Sequence, residues 1–295
     1  MTDHGFTTRV IAVDGGGTRC RLVFDAAGRR RTVEVGAANV CSNFDAAIAE
    51  LRTGLELLAG KVGIPVIDLL KVPAYFGLAG VTDQSVADRV HDAIGLPHAR
   101  VQDDRPAALR GALGELDGAI AHFGTGSFFA MQAHGRVRLA GGWGYRLGDE
   151  GSAFWLARKA LTATLEAVDG LIDETPLTQR LLVHFETPGA IVTHATEAEP
   201  RDVGRLAPWV TEAAAAGDGV GRRIMEFGAA HIASVTARMG WQPGMALCLT
   251  GGVGRCYADY LPAPLATALI DPKADPIDGA VDLARAFAAE VANDH

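Results

Sequence analysis

From Ile11 to Asp25 the chain reads IAVDGGGTRCRLVFD. An apolar run ends in an acid, three glycines and a threonine, and alternation then resumes. Arg9–Val13 and Arg19–Phe24 read as strands flanking a glycine turn. Glycines let main-chain N–H groups approach an anion closely, which makes a nest for phosphate. Thr18 adds a hydroxyl donor. Asp14 would repel bare phosphate, so its presence points to a bridging Mg²⁺, an ion that carboxylates hold well. The plainer reading is a hairpin with a glycine turn, but such a turn does not require three glycines with Asp and Thr. The stretch is not a P-loop, because G-x-x-x-x-G-K-[ST] is absent. Nor is it a dinucleotide fingerprint, which opens a helix rather than a hairpin.

The same plan recurs about 110 residues later. Ala119–Phe123 reads as a strand, Gly124-Thr125-Gly126-Ser127 as a turn and Phe128–Ala133 as the returning strand. An internal duplication and two unrelated hairpins both explain this recurrence. A third turn, Thr250-Gly251-Gly252-Val253-Gly254, follows the strand Ala246–Thr250. Glycine there would let a flat base or a ribose lie against the backbone. Two glycine–hydroxyl turns could clamp one polyphosphate from both sides.

Around these turns the chain mixes strands and helices. Arg31–Val35, Val72–Phe76 and Val101–Gln102 read as further strands. Phe44, Ile48, Leu51, Leu55 and Leu58 mark one face of a helix, with Ser42 or Asn43 as its cap. Gln84–Ile94 reads as helical, and Pro106 suits the first turn of a helix running to Leu113. Ser152 can cap a helix carrying Leu161, Leu165 and Val168. Ile224, Gly228, Ile232, Val235 and Met239 mark another, and Ile277, Val281, Ala284, Ala288 and Val291 mark a closing helix. Two similar halves of this kind imply an α/β protein with two lobes.

Composition narrows the function. The 295 residues suit one large or two medium domains. The formal net charge of -8 argues against nonspecific binding to nucleic acid or anionic membrane. No apolar run is long enough to cross a bilayer, and the opening MTDHGFTT lacks the plan of a signal peptide, so a cytoplasmic protein is expected. Cys20, Cys41, Cys248 and Cys256 form no C-x-x-C pair and read as reduced thiols.

Together, D-G-G-G-T near the start, G-T-G-S in mid-chain and the late T-G-G-V-G resemble the two phosphate loops and the adenosine loop of the sugar kinase, heat-shock chaperone and actin superfamily. The stretch GGWGYRLGDEGSAFW, Gly141 to Trp155, resembles the N-acetylglucosamine kinase family, grouped with the ATPase activators of benzoyl-CoA reductase and 2-hydroxyacyl-CoA dehydratase. The resemblance covers almost the whole chain. It implies a two-lobed actin-like ATPase fold of the α/β class, with a duplicated ribonuclease-H-like sheet-and-helix core and an interlobe cleft. The expected small lobe is 1–117 joined by a closing helix, 278–295, and the large lobe is 118–277.

The resemblance also assigns residues. Asp14, Gly15, Gly16, Gly17 and Thr18 match the first phosphate loop, with Asp14 near Mg²⁺, possession of which would be direct or through water. Gly124, Thr125 and Gly126 match the second, which Ser127 completes toward the sugar. Gly251 and Gly252 match the adenosine site. Asn39, Trp143, Gly144 and Asp149 match sugar-contacting positions. The family carries a catalytic aspartate a few residues before a small-residue helix. Counting back from Ala107-Ala108-Leu109-Arg110-Gly111-Ala112 gives that place, and sugar contact with it, to Asp104, with Asp103 as a polar neighbour. Capping of the helix that Ser152 starts is the plainer reading of Asp149 and Glu150.

The implied reaction is ATP-dependent phosphorylation of an amino sugar, N-acetylglucosamine to its 6-phosphate, with ATP and Mg²⁺ as cofactors. Phe128, Phe129, Trp143 and Tyr145 crowd the expected sugar loops and suit an acetamide, although alternation turns one of the two phenylalanines away. Glucosamine is the alternative substrate. An activator-type ATPase and a non-catalytic sugar-sensing regulator are the rival functions. Expected partners are an amino sugar and ATP, with no nucleic acid and no membrane, in a homodimer.

Overall fold

The computed structural model describes residues 9–293. Residues 1–8 and 294–295, which belong to the expected small lobe and closing helix, lie outside the described residues. The chain divides into two compact units, 1–115 with 273–295, and 116–272.

In the first unit β1 (Arg9–Gly15), β2 (Cys20–Ala26) and β3 (Arg29–Val35) form an antiparallel meander. Helix α1 (Phe44–Val62) follows, capped by Asn43 Oδ1 accepting from the Ala46 N–H at 3.1 Å. A short α2 (Val66–Leu69) leads to β4 (Ala74–Leu78), which pairs in parallel with β1. The strand starts after Pro73 rather than at Val72. Proline lacks the ladder donor, and its carbonyl serves instead as acceptor for the Ile11 N–H at 2.9 Å. Then come α3 (Gln84–Ile94), β5 (Ala99–Asp103) and α4 (Arg105–Leu113), giving the sheet order β3-β2-β1-β4-β5. Ile11, Val13, Leu22, Phe24, Leu51, Leu58 and Phe76 fill one face of this sheet. The closing helix Pro276–Asn293 covers the other, with Ala280, Val281 and Ala284 against Val10, Ala12 and Tyr75.

The second unit repeats the plan. β6 (Gly118–Phe123), β7 (Ser127–Ala133) and β8 (Arg136–Gly141) form an antiparallel meander. The chain continues through α5 (Ala153–Val168), α6 (Pro176–Phe185), α7 (Pro188–Glu197), α8 (Pro200–Gly204), α9 (Ala207–Ala215) and α10 (Gly219–Met239). β9 (Ala246–Thr250) then pairs in parallel with β6, followed by a 3₁₀ helix Gly254–Tyr260 and α11 (Ala263–Ala266). The order is β8-β7-β6-β9. Each meander carries a two-residue turn with both residues at positive φ, Ala27-Gly28 in one and His134-Gly135 in the other. Matching strand order, pairing sense and turn geometry all favour duplication over two unrelated hairpins. No helix of the described residues is long and apolar enough to cross a membrane.

In the first unit, the closing helix crosses α4 at Gly279. A Cβ built there would lie 2.1 Å from the Ala107 carbonyl oxygen and 2.4 Å from the Gly111 nitrogen. Both are backbone atoms, so the helices would have to separate. Gly279→Ala should therefore lower stability by about 3 kcal/mol. Gly60→Ala, where the new methyl meets open space within α1, should be neutral or raise it by up to about 1 kcal/mol. Thermal or urea unfolding of the pair checks this, and equal midpoints would refute the close crossing.

Candidate functional site

In the first unit the chemistry gathers where β1, β4 and β5 end. Gly15 is buried, and a Cβ there would meet Leu78 Cδ2 at 2.5 Å. Gly16 and Gly17 differ: added methyls would meet only the Arg19 carbonyl at 3.4 Å, and nothing within 4 Å, respectively. Neither holds a positive φ. Packing and backbone geometry explain the first glycine of the run but not the next two. Gly17 and Thr18 form the exposed tip. The loop is anchored from below, since Gly16 O accepts from Ala38 N at 3.1 Å and Gly15 O from Ala79 N at 2.8 Å.

Asp14 lies across the ladder from Arg21, and its Oδ2 accepts from Arg21 Nη2 at 2.8 Å. Asn39 is half-buried, and its Oδ1 accepts from the Cys41 and Ser42 N–H groups at 3.0 and 3.1 Å. Its carboxamide NH₂ is the half that could meet a ligand.

Asp103 and Asp104 part company at the start of α4. Asp103 accepts from both the backbone N–H and the Nε of Arg105. Asp104 occupies the N-cap position, yet its side chain makes no capping bond. It is half-buried, and burial, then the charges of Asp103 and Asp14, raises its pKa to about 7. One acid is committed to an arginine; the other is uncommitted and poised near neutrality.

In the second unit the two glycine turns lie together. Phe123 O accepts from Val253 N at 3.1 Å, and a Cβ on Gly251, whose φ is 82°, would strike the Phe123 carbonyl at 2.4 Å. Gly252 meets nothing within 4 Å. Gly124 O accepts from Ala153 N at 2.9 Å, tying the turn to the start of α5. Thr125 is exposed at its tip. Gly126 leaves room for Asp149, whose Oδ2 would sit 2.6 Å from an added Cβ.

Asp149 is buried and holds φ 63°, a strained value for a residue with a side chain. Its carboxylate accepts from the Ser127 and Gly144 N–H groups, although burial is the larger effect and raises its pKa. Ser127 is buried too, and its hydroxyl donates to the Glu150 carbonyl at 2.9 Å. That hydroxyl pins the loop rather than facing outward. Trp143 is 67% exposed. Phe129 packs into the core against Phe123, whereas Phe128 stacks on His122 at 4.8 Å, so the alternation sends them to opposite faces. Tyr145 rests edge-on against Phe154.

Three participants escaped the sequence reading. Arg21 is one, and only the antiparallel register places it on Asp14. His122 is another, with Nδ1 3.0 Å from Thr250 Oγ1, bridging the strands that carry both glycine turns. Burial lowers its pKa to about 4, so it is neutral. The third is Glu150, read from the sequence only as a helix cap, whose carboxylate lies 4.0 Å from His231 Nε2. The cysteines divide, Cys20 and Cys248 being buried, Cys41 and Cys256 exposed.

The elevated Asp104 pKa carries a stability consequence. Its ordinary value is 3.8 and its folded value is about 7, so the folded protein binds this proton more tightly. The contribution is fully present below pH 3.8 and is lost as pH rises through 7. Asparagine cannot ionise. Asp104→Asn should therefore raise Tm most at pH 8, by the equivalent of roughly 2–4 kcal/mol, and the gain should fade toward pH 4. Calorimetry across that range checks it; a gain independent of pH would contradict the buried-acid assignment.

Comparison with known proteins places the chain among sugar kinases and ATPases. The chain is 27% identical over 280 residues to a glucosamine kinase of Vibrio cholerae, covering 92% of this chain and 94% of the relative. It is 26% identical over 229 residues to an N-acetylmuramic acid/N-acetylglucosamine kinase of Clostridium acetobutylicum, covering 74% of each. A solved structure from Chromobacterium violaceum, assigned as an N-acetylglucosamine kinase, superposes with a TM-score of 0.79 at 29% identity, covering 94% of this chain and 99% of the other. A Streptomyces griseus glucokinase of the ROK family shares the fold at a TM-score of 0.54 and 19% identity, covering 94% of this chain and 99% of that one. Residues 11–284 match the sequence profile of one family throughout, and the chain belongs to the BadF/BadG/BcrA/BcrD ATPase family.

Proposed function

We propose that the protein is an amino sugar kinase that transfers the γ-phosphoryl group of ATP to the 6-hydroxyl of N-acetylglucosamine. The observation that carries this reading is Asp104, an acid without a capping bond whose pKa is raised to about 7. A sugar hydroxyl is a poor nucleophile at neutral pH. A carboxylate titrating near 7 can accept its proton during attack, an effect of roughly 10²–10⁴ in rate. Asp103 is tied to Arg105 and serves to shape the start of α4.

The remaining catalysis is positioning and charge neutralisation. Gly17 and Thr18 offer an exposed tip suited to close approach by phosphate oxygens, and half-buried Gly16 closes the loop by donating its N–H to the Arg19 carbonyl at 3.0 Å. Gly124, Thr125 and Gly126 present the equivalent groups in the second unit, and Gly251 with Gly252 suits the adenosine. Mg²⁺ fits the donor chemistry of Asp14, because this ion keeps several waters and takes one or two carboxylates beside phosphate oxygens. When bound it would neutralise charge developing on the phosphates. Asn39, Trp143, Gly144 and Asp149 would bind the sugar hydroxyls, with Ser127 holding that loop in place.

The acetamide reading rests on aromatic residues near the sugar loop, of which Phe129 is withdrawn into the core. Glucosamine is the second reading, and Glu150 favours it. Its half-exposed carboxylate adjoins Asp149 and could meet an ammonium at C2.

The deciding experiment is ADP release with N-acetylglucosamine and glucosamine at saturating Mg-ATP. Native protein should turn over both, with the higher kcat/KM for N-acetylglucosamine. Asp104→Asn should lose about 10² or more in kcat while retaining sugar binding. Asp103→Asn should lose far less. Absence of turnover on every hexosamine would refute the kinase reading. A crippled Asp103→Asn beside an active Asp104→Asn would move the base by one residue.

The phosphate assignment has its own test. Gly17→Ala meets open space, so it should leave Tm unchanged while raising KM for ATP severalfold. Sugar affinity measured without nucleotide should stay constant. A fall in Tm with unchanged KM would make Gly17 a structural residue only.

A further inference from the structure

Arg21 stands between two acids in the first unit. Nη2 donates to Asp14 Oδ2 at 2.8 Å, and Nη1 reaches Asp275 Oδ2 at 3.5 Å. Asp275 is an exposed residue just before the closing helix, so that second contact is long and open to water. Nε is buried and has no hydrogen-bond partner. A buried N–H of a charged group is costly to leave unpaired, and native structures rarely do so without a purpose. Arg21 and Asp14 are each 18% exposed in their side chains, so their pairing is partly shielded from solvent. The register that brings them together sits one residue pair from the open glycine tip, since Gly15 pairs with Cys20 and Asp14 with Arg21.

This guanidinium has a consequence for the metal. Asp14 is the acid suited to Mg²⁺, yet it already holds a cation. A bare Mg²⁺ reaching Asp14 must displace or crowd Arg21 and gives the arginine nothing in return. A metal arriving on a nucleotide brings phosphate oxygens with it. Guanidinium donates well to such oxygens, often in pairs, and one donor is already without a partner.

We propose that Arg21 is a positioning residue for the phosphoryl-transfer site, acting as the resident counter-ion of Asp14. It holds the carboxylate in place before loading. It also makes metal binding conditional on phosphate, so that the site takes the metal–nucleotide complex in preference to the free ion. This rests on the kinase reading for its purpose, but its test does not depend on turnover.

The test is calorimetric titration of native protein, Arg21→Gln, Asp14→Asn and the double variant. One series uses MgCl₂ alone and the other the magnesium complex of a non-hydrolysable ATP analogue. Arg21→Gln should bind free Mg²⁺ about tenfold more tightly and the magnesium nucleotide about tenfold more weakly, opposite shifts of about 1.4 kcal/mol each. In the Asp14→Asn background the gain toward free Mg²⁺ should vanish, because no carboxylate is left to release. Arg21→Lys keeps the charge but not the planar fork, so it should shift both affinities in the same directions by less. It also serves if Arg21→Gln fails to fold. A merely structural arginine would weaken both ligands together or neither, and either result would overturn the proposal. So would a gain toward free Mg²⁺ that persists without Asp14. Opposite shifts in a protein that phosphorylates no sugar would overturn the kinase reading and leave the role of Arg21 standing.

Discussion

Strands β1 and β6 impose the constraint from which the rest follows. Each is hydrogen-bonded along both edges, antiparallel to one neighbour and parallel to the other. Each is also apolar along nearly its whole length, with Val10, Ile11, Ala12 and Val13 fully buried in β1, and Ala119, Ile120, Ala121 and Phe123 in β6. Strands satisfied on both edges and covered on both faces have nothing to offer a polar ligand except their ends. Of the parallel neighbours, β4 ends level with β1 and β9 ends one residue short of β6. Asp104 follows β5 and the late glycine turn follows β9 for this reason. In each unit, the candidate site residues lie at the carboxyl end of the central strand because the interior has no place for polar groups.

How much of this can be read from residues alone depends on the range of the interaction. Gln84–Ile94 and Ala246–Thr250 match their expected elements residue for residue, because an amphipathic helix and a short apolar run ending in glycines are local signals. The caps at Asn43 and Ser152 are local too. β8 is absent from the sequence reading although His134-Gly135 offered a turn signal, since Arg136, Val137 and Arg138 lie on an exposed strand without a buried stripe. Helices α6 to α9 are short and weakly patterned. Their clearest marks are prolines in the first turn after Thr175, Thr187 and Glu199. Within the site, the acids and glycines are visible in the sequence, but their assignments are not. Arg21 meets Asp14 through ladder register, and His122 meets Thr250 across 128 residues.

The paired acids show how a neighbour divides identical side chains. Asp103 and Asp104 have the same chemistry and adjoin in sequence. Arg105 folds back on the first, supplying both a backbone and a side-chain donor. That contact removes Asp103 from competition and leaves its charge beside Asp104. The residual field of Asp103 and Asp14 then adds to burial in holding the Asp104 proton. Arg105 is therefore part of the arrangement that tunes the acid.

The glycines sort by the same reasoning. Gly15, Gly126 and Gly251 cannot take a methyl without striking Leu78, Asp149 or the Phe123 backbone. Gly17 and Gly252 have open space around the position of a Cβ. The first group lets the turns pack against their own unit. The second has no such reason, and glycine costs more conformational entropy on folding than alanine would. Open space alone assigns no role, since Gly60 in α1 has it too; the place at a turn tip is what separates Gly17 and Gly252 from it. At the tips of two turns, one beside an arginine-held carboxylate and the other next to the glycine that abuts the Phe123 carbonyl, the proposed phosphate and adenosine contacts would supply a reason.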